Sequence, residues 1–142
     1  MFTTICQREI DTPAGRLAPI EDDVPARVRG LLSAFYSRDR SLDRRRDRRY
    51  PFPYLIRLVP VASDGITPAG CAVVVVGKHL SERGLGFFHN EPLAHRRMIA
   101  TLEGLRGERL SLLVDLNWCR FTGAGWYESG GRFLEVVGSV PG

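Results

Sequence analysis

Residues 71–89 read CAVVVVGKHLSERGLGFFH, and this stretch decides the fold. Cys71–Val76 is a continuous β-branched run, the texture of a strand buried on both faces. Gly84–His89 is a second strand. The segment from His79 to Gly84 between them reads as a turn, in which Gly84 and Gly86 permit a sharp reversal or a close backbone approach. Outward from this pair, Tyr54–Ala62, Arg97–Leu102, Leu110–Phe121 and Trp126–Val137 repeat the strand texture. Turn-like Ser63-Asp64-Gly65, Glu91-Pro92, Gly104–Gly107 and Thr122–Gly125 separate them, and Pro60 marks an edge or a bulge. About six strands in roughly ninety residues, with no long helix between them, predict a small six-stranded antiparallel β-barrel.

The region before the barrel has a different texture. Val24, Val28, Leu31, Leu32 and Phe35 form one face of a helix, predicted over 21–37. Asp22 or Asp23 can cap it, and Pro25 suits its first turn. The apolar face must cover either the rest of the domain or a second copy, which leaves a homodimer through 21–37 open. Residues 1–20 are polar and aperiodic, a lead-in or a short edge strand. The expected organisation is therefore 1–37 lead-in and helix, 38–49 linker, and 50–142 barrel.

At 142 residues the chain holds one domain. The longest apolar run, roughly Gly70–Gly77, is far short of the ~20 residues that a membrane span needs. The beginning, MFTTICQREID, has no apolar core of a secretory signal. Cys6, Cys71 and Cys119 form no metal spacing and predict reduced thiols in a cytoplasmic protein.

Charge is concentrated. The net charge is +4, and residues 38–49 (RDRSLDRRRDRR) alone hold seven Arg and three Asp, so 7 − 3 = +4. The remainder is neutral. That distribution disfavours a protein coated in nucleic acid and favours one local anion-binding feature. Taken alone, the run is also readable as a solvated helix end, with Asp43 and Asp47 pairing with neighbouring arginines. His89 and His95 read as surface or loop histidines, and no metal-ligand spacing is present. Neither a Gly-x-Ser-x-Gly elbow nor a P-loop occurs, so no enzymatic activity and no cofactor are expected.

Two short patterns occur together: Arg45-x-x-x-Arg49 immediately before the first barrel strand, with Arg44–Arg48 as a competing register, and His79-x-Ser81-x-x-Gly84 about thirty residues on. In this pairing the sequence resembles PilZ domains, small bacterial β-barrel receptors of the second messenger cyclic di-GMP. The resemblance covers roughly 44–137, including Leu116–Arg120 and Gly131-Arg132-Phe133. It implies ligand contacts from Arg44, Arg45, Arg49, His79, Ser81, Gly84 and Trp118. For Trp118 the role is stacking on guanine, and its alternative reading is a core or rim aromatic. One position departs from the family pattern, since His79 stands where the motif has Asp or Asn. Neutral imidazole offers one acceptor and one donor where a carboxylate accepts several bonds, which predicts altered or pH-sensitive binding.

The chemistry suits such a ligand. Guanidinium forks bind phosphate oxygens, bond the O6/N7 edge of guanine and lie flat on purines. The expectation is a cytoplasmic, non-enzymatic receptor whose linker orders on the barrel and signals to a downstream protein partner. Two alternatives stay open: a degenerate scaffold of the same family that binds no nucleotide, and a small barrel that binds nucleic acid through the Arg run.

Overall fold

The computed structural model describes residues 4–5, 24–36, 48–65 and 67–140 of the chain. One helix, α1 (Val24–Phe35), stands among eight strands: β1 (Thr4–Ile5), β2 (Tyr50–Pro51), β3 (Leu55–Pro60), β4 (Ala72–Leu80), β5 (Gly84–His89), β6 (Arg97–Glu103), β7 (Arg109–Gly123) and β8 (Trp126–Val140). The expected class holds: the chain is mainly β, with a closed six-stranded antiparallel barrel after one helix. The strands run β4-β3-β6-β7-β8-β5, and β5 returns to β4 to close the ring. Short β1 and β2 pair with the free stretches of β4.

Strand β4 differs from its reading in two ways. It continues past Val76 to Leu80, so His79 is a strand residue paired with Pro51 and Gly86, and the turn shrinks to Ser81–Arg83. Its valines are not buried on both faces: Ala72 and Val75 are buried, while Val73, Val74 and Val76 are half-buried. A closed barrel has one interior, so only one side of each strand can face it. A bulge at Lys78 shifts the β4–β5 register between Gly77 and His79. The chain also breaks between β2 and β3. Phe52 N–H donates to Lys78 O (3.0 Å), and Gly77 N–H donates to Tyr54 O (2.8 Å). The Phe52 carbonyl occupies the place where a Gly77 side chain would begin.

The β7–β8 hairpin is the longest element, fifteen residues in each strand. Its first part is held by β6 through Arg97–Glu103, and its far part by β5 through Gly84–His89. Gly123, Ala124 and Gly125 all have positive φ (103°, 53° and 79°). Positive φ at the two central residues is the geometry that joins twisted strands with a two-residue loop.

Helix α1 packs on its own barrel. Val28, Leu31 and Leu32 are buried in one cluster with Tyr50, Phe52, Leu80, Leu85 and Phe133. Phe35 meets Phe52 edge-on at 5.6 Å and Tyr54 at 5.0 Å, and Tyr36 Oη donates to Pro51 O (2.5 Å). A polar clamp joins the helix to the β4–β5 turn: Arg29 Nε donates to Glu82 Oε2 (3.0 Å), and Arg29 Nη2 donates to Oε1 (3.3 Å). The cap residues Asp22 and Asp23 lie outside the described residues.

Two expectations are corrected. Cys71 is disulfide-bonded, while Cys119 is free and exposed. The three cysteines are therefore not all reduced thiols, and they do not point to a reducing compartment. His89 is not a surface histidine but is 2% exposed. The imidazole lies between Glu91 O on Nδ1 and Ser129 Oγ on Nε2, both at 2.7 Å. Such bonds offset the cost of burying a polar ring. No helix among the described residues is long and apolar enough to cross a membrane.

Leu32 is fully buried where the helix meets the barrel. Leu32→Ala is expected to cost about 2–5 kcal/mol, because the packed barrel end cannot collapse around the void. Denaturant unfolding checks this. A loss below about 1 kcal/mol would show that α1 is not part of the cooperative core.

Candidate functional site

One cleft of about 240 Å³ on the barrel exterior is lined by Arg49, His79, Ser81, Arg83, Gly84, Leu85, Asn117, Trp118, Gly131 and Arg132. Five of the sequence-predicted residues, Arg49, His79, Ser81, Gly84 and Trp118, thus meet in one place although they span seventy positions of chain. Arg44 and Arg45 lie outside the described residues. Arg83, Asn117 and Arg132 were not expected. Arg83 sits inside the quoted turn, and Arg132 follows Gly131 in β8, but only the strand pairing brings β8 against β5.

The register explains the convergence. His79, Gly86, Gly130 and Trp118 are successive cross-strand neighbours on β4, β5, β8 and β7. Cross-strand neighbours point to the same side of a sheet, so the row lies on one face. One step along that face, Gly84 pairs with Arg132. In the other direction, Phe88 pairs with Glu128, and Glu128 with Arg120. Gly84 and Gly131 therefore leave bare backbone in the cleft lining, while Gly86 and Gly130 lie beside it beneath the His79 and Trp118 rings.

Each border has its own chemistry. In the turn, the Ser81 hydroxyl oxygen accepts from Arg83 N–H (3.3 Å) and Gly84 N–H (3.2 Å), and Ser81 N–H donates to Gly84 O (2.9 Å). Ser81 thus shapes the turn that presents Arg83. A side chain at Gly84 would run into the carbonyl of Gly131, so the motif glycine is required by the β5–β8 contact.

Beyond the row, on the side away from the Ser81 turn, the same face carries an ion cluster. Lys78 Nζ donates to Glu128 Oε2 (2.7 Å), and Arg120 Nη2 donates to Oε1 (2.9 Å), with Glu128 itself only 4% exposed. The lysine bond, with Arg120 adding to it, outweighs burial and holds the Glu128 carboxyl below its usual range. Elsewhere Arg96 forks onto Asp115 (2.8 and 3.3 Å). At the cleft, by contrast, neither Arg49 nor Arg132 has an ion-pair partner among the described residues. Their charges are available to an anion. No group of three His, Cys, Asp or Glu that could hold a metal ion occurs among the described residues.

His79 is held neutral. Burial is the largest cause of its lowered pKa, followed by the Arg49 and Lys78 charges, with Glu128 opposing them. His89 is likewise lowered, by burial first, against the hydrogen bond to Glu91. Comparison of the chain with protein-family models, with curated proteins and with solved structures gives no match.

Both histidines bind a proton more readily when the chain is unfolded. The stability they contribute is fully present above their ordinary value of 6.5 and is lost as pH falls through their lowered folded values. Denaturant midpoints are therefore expected to fall between about pH 7 and about pH 5, and to fall less in His79→Gln. A flat profile across this window would remove the buried, neutral assignment of both rings.

Proposed function

We propose that the chain is a receptor for cyclic di-GMP, of the PilZ type that its sequence resembles, with the ligand seated in the cleft above the β5–β8 glycines. One observation carries the reading: residues of the two short motifs meet at a single concave site, where two guanidinium groups, Arg49 and Arg132, have no carboxylate partner among the described residues. Guanidinium in such a place favours a ligand with phosphates and guanine edges, because it can fork onto either. Arg83, carried by the Ser81 turn, adds a third cation to the same rim.

The ligand would hold Arg49, immediately ahead of Tyr50, against the barrel. The same turn that carries Ser81 and Arg83 also carries Glu82, which Arg29 of α1 grips. A change at the cleft thus has a direct mechanical route to the helix, and from there to a downstream protein partner. Binding without chemistry is sufficient for this role, and no enzymatic step enters it.

The charge pattern also ranks the nucleic-acid alternative lower. Lys78, Arg96 and Arg120 are neutralised by carboxylates, so these barrel cations do not join Arg49 and Arg132 into a continuous positive track. A polymer-binding face needs cations distributed along a backbone path.

Calorimetric titration tests the proposal. Cyclic di-GMP should bind the parent, and Arg49→Ala or Arg132→Ala should each weaken it at least about tenfold, as losing a charged hydrogen bond costs about 1.5–3 kcal/mol. Equal binding by both variants would remove the site. Absence of heat with the parent would favour the scaffold alternative, and steep salt dependence with single-stranded DNA but no cyclic dinucleotide binding would favour the nucleic-acid one.

A further inference from the structure

His79 and Trp118 stand at the two ends of the four-residue row, and the two positions between them are glycine. Each ring leans inward over its glycine neighbour. A side chain on Gly86 would collide with the His79 imidazole, with Nδ1 and Nε2 both at 2.9 Å from its first carbon. A side chain on Gly130 would collide with the Trp118 indole, at 2.5 Å from Cζ2 and 2.6 Å from Cε2. The space of the missing side chains is therefore filled from both flanks by aromatic rings packed on bare backbone, an arrangement known to stabilise glycine in sheets. Trp118 nevertheless remains 39% exposed. With part of the ring packed on the Gly130 backbone, the remainder of the indole is partly open and lines the cleft.

We propose that His79, seated on Gly86, extends the stacking surface of Trp118, seated on Gly130, into a two-ring platform for the planar base of the nucleotide, with its phosphates directed to Arg49, Arg83 and Arg132. This rests on the nucleotide reading of the cleft and assigns His79 a different part from the Asp or Asn of the motif. The imidazole is a stacking surface held in place by Gly86, and hydrogen-bond acceptance is not its task. Its neutral state suits that part, since a proton on the ring would set it against the neighbouring Arg49 charge. Gly86 and Gly130 are positioning residues that act through the rings and touch no ligand. The polarity of the cleft fits a ligand with two ends. The aromatic row is flanked on one side by Arg132 and the Ser81 turn, and on the other by the neutralised Lys78–Glu128–Arg120 cluster, so only one side attracts phosphate.

The two chemistries assigned to His79 predict opposite results. The chain has two tryptophans, so Trp126→Phe leaves Trp118 as the single indole reporter. In that background, cyclic di-GMP is expected to quench Trp118 emission as it binds. His79→Phe should bind nearly as the parent does, whereas His79→Asp and His79→Ala should bind about fivefold or more weakly, as expected for loss of base stacking. Gly86→Ala should weaken binding to a similar extent, yet have no further effect in a His79→Ala background, where there is no ring to displace. A general disturbance of the sheet would instead weaken binding in both backgrounds.

Tighter binding by His79→Asp than by His79→Phe overturns the platform while leaving the receptor reading intact. So does binding by the parent with unmoved Trp118 emission. If the parent takes up no cyclic di-GMP, the receptor reading fails, and GMP against inorganic pyrophosphate decides the platform separately. Quenching by GMP but not by pyrophosphate supports it, and quenching by neither overturns it.

Discussion

The contacts of β8 with β5 and β7 are so close that side chains cannot be accommodated along part of them. The Gly131 carbonyl fills the position of a Gly84 side chain, and the Asp115 carbonyl fills that of Gly131. Gly86 and Gly130 face each other in register on the same patch. Glycine normally weakens a strand, because it adds backbone entropy to the unfolded chain and packs nothing. Here that cost is offset by two effects of the missing side chains. Strands β4, β5, β8 and β7 can curve tightly enough to complete a six-stranded ring, and the ring acquires a shallow external floor on which neighbouring side chains converge.

What stands around that floor follows from it. His79 and Trp118 fold inward because nothing blocks them, whereas Arg132 and the Ser81 turn line the cleft on one side of the row and the Lys78–Glu128–Arg120 cluster lies beyond the row on the other. The electrostatics are correspondingly uneven. Carboxylates compensate the cations of the cluster, and Asp115 compensates Arg96, while Arg49 and Arg132 have no ion-pair partner among the described residues. Helix α1 belongs to the same mechanical unit. It closes the barrel with Val28, Leu31 and Leu32 and grips the turn that borders the cleft through Arg29 and Glu82. A ligand that moved the turn would therefore act on a partly buried ion pair, and breaking one partner of such a pair costs more than an exposed bridge would.

The strands were legible because their period and their turns are local. Gly84–His89 appears in the sequence with the same ends as in the structure, and the helix face of Val24, Val28, Leu31, Leu32 and Phe35 is the face that packs. The misreadings occurred where a long-range partner decides the outcome. His79 looked like a turn residue, but pairing with Pro51 and Gly86 extends β4 through it. His89 looked like a surface histidine until Ser129, forty positions away, supplied its second hydrogen bond. Cys71 showed no spacing that betrayed a disulfide, because spacing along the chain carries no distance in space.

By itself, the sequence determined the barrel, the helix before it, the concentration of charge in 38–49 and the short motifs around Arg49 and Ser81, all of which rest on alternation, turn chemistry and counting. Only the tertiary structure decided that Arg132 and Asn117 join those motifs, that two glycines separate two aromatic rings, and which arginines keep a carboxylate partner. The physical reason is register. A period of two tells which residues share a face of one strand, but which faces lie side by side is fixed only when β4, β5, β8 and β7 pair, and a slip of one residue would turn the whole row to the other side.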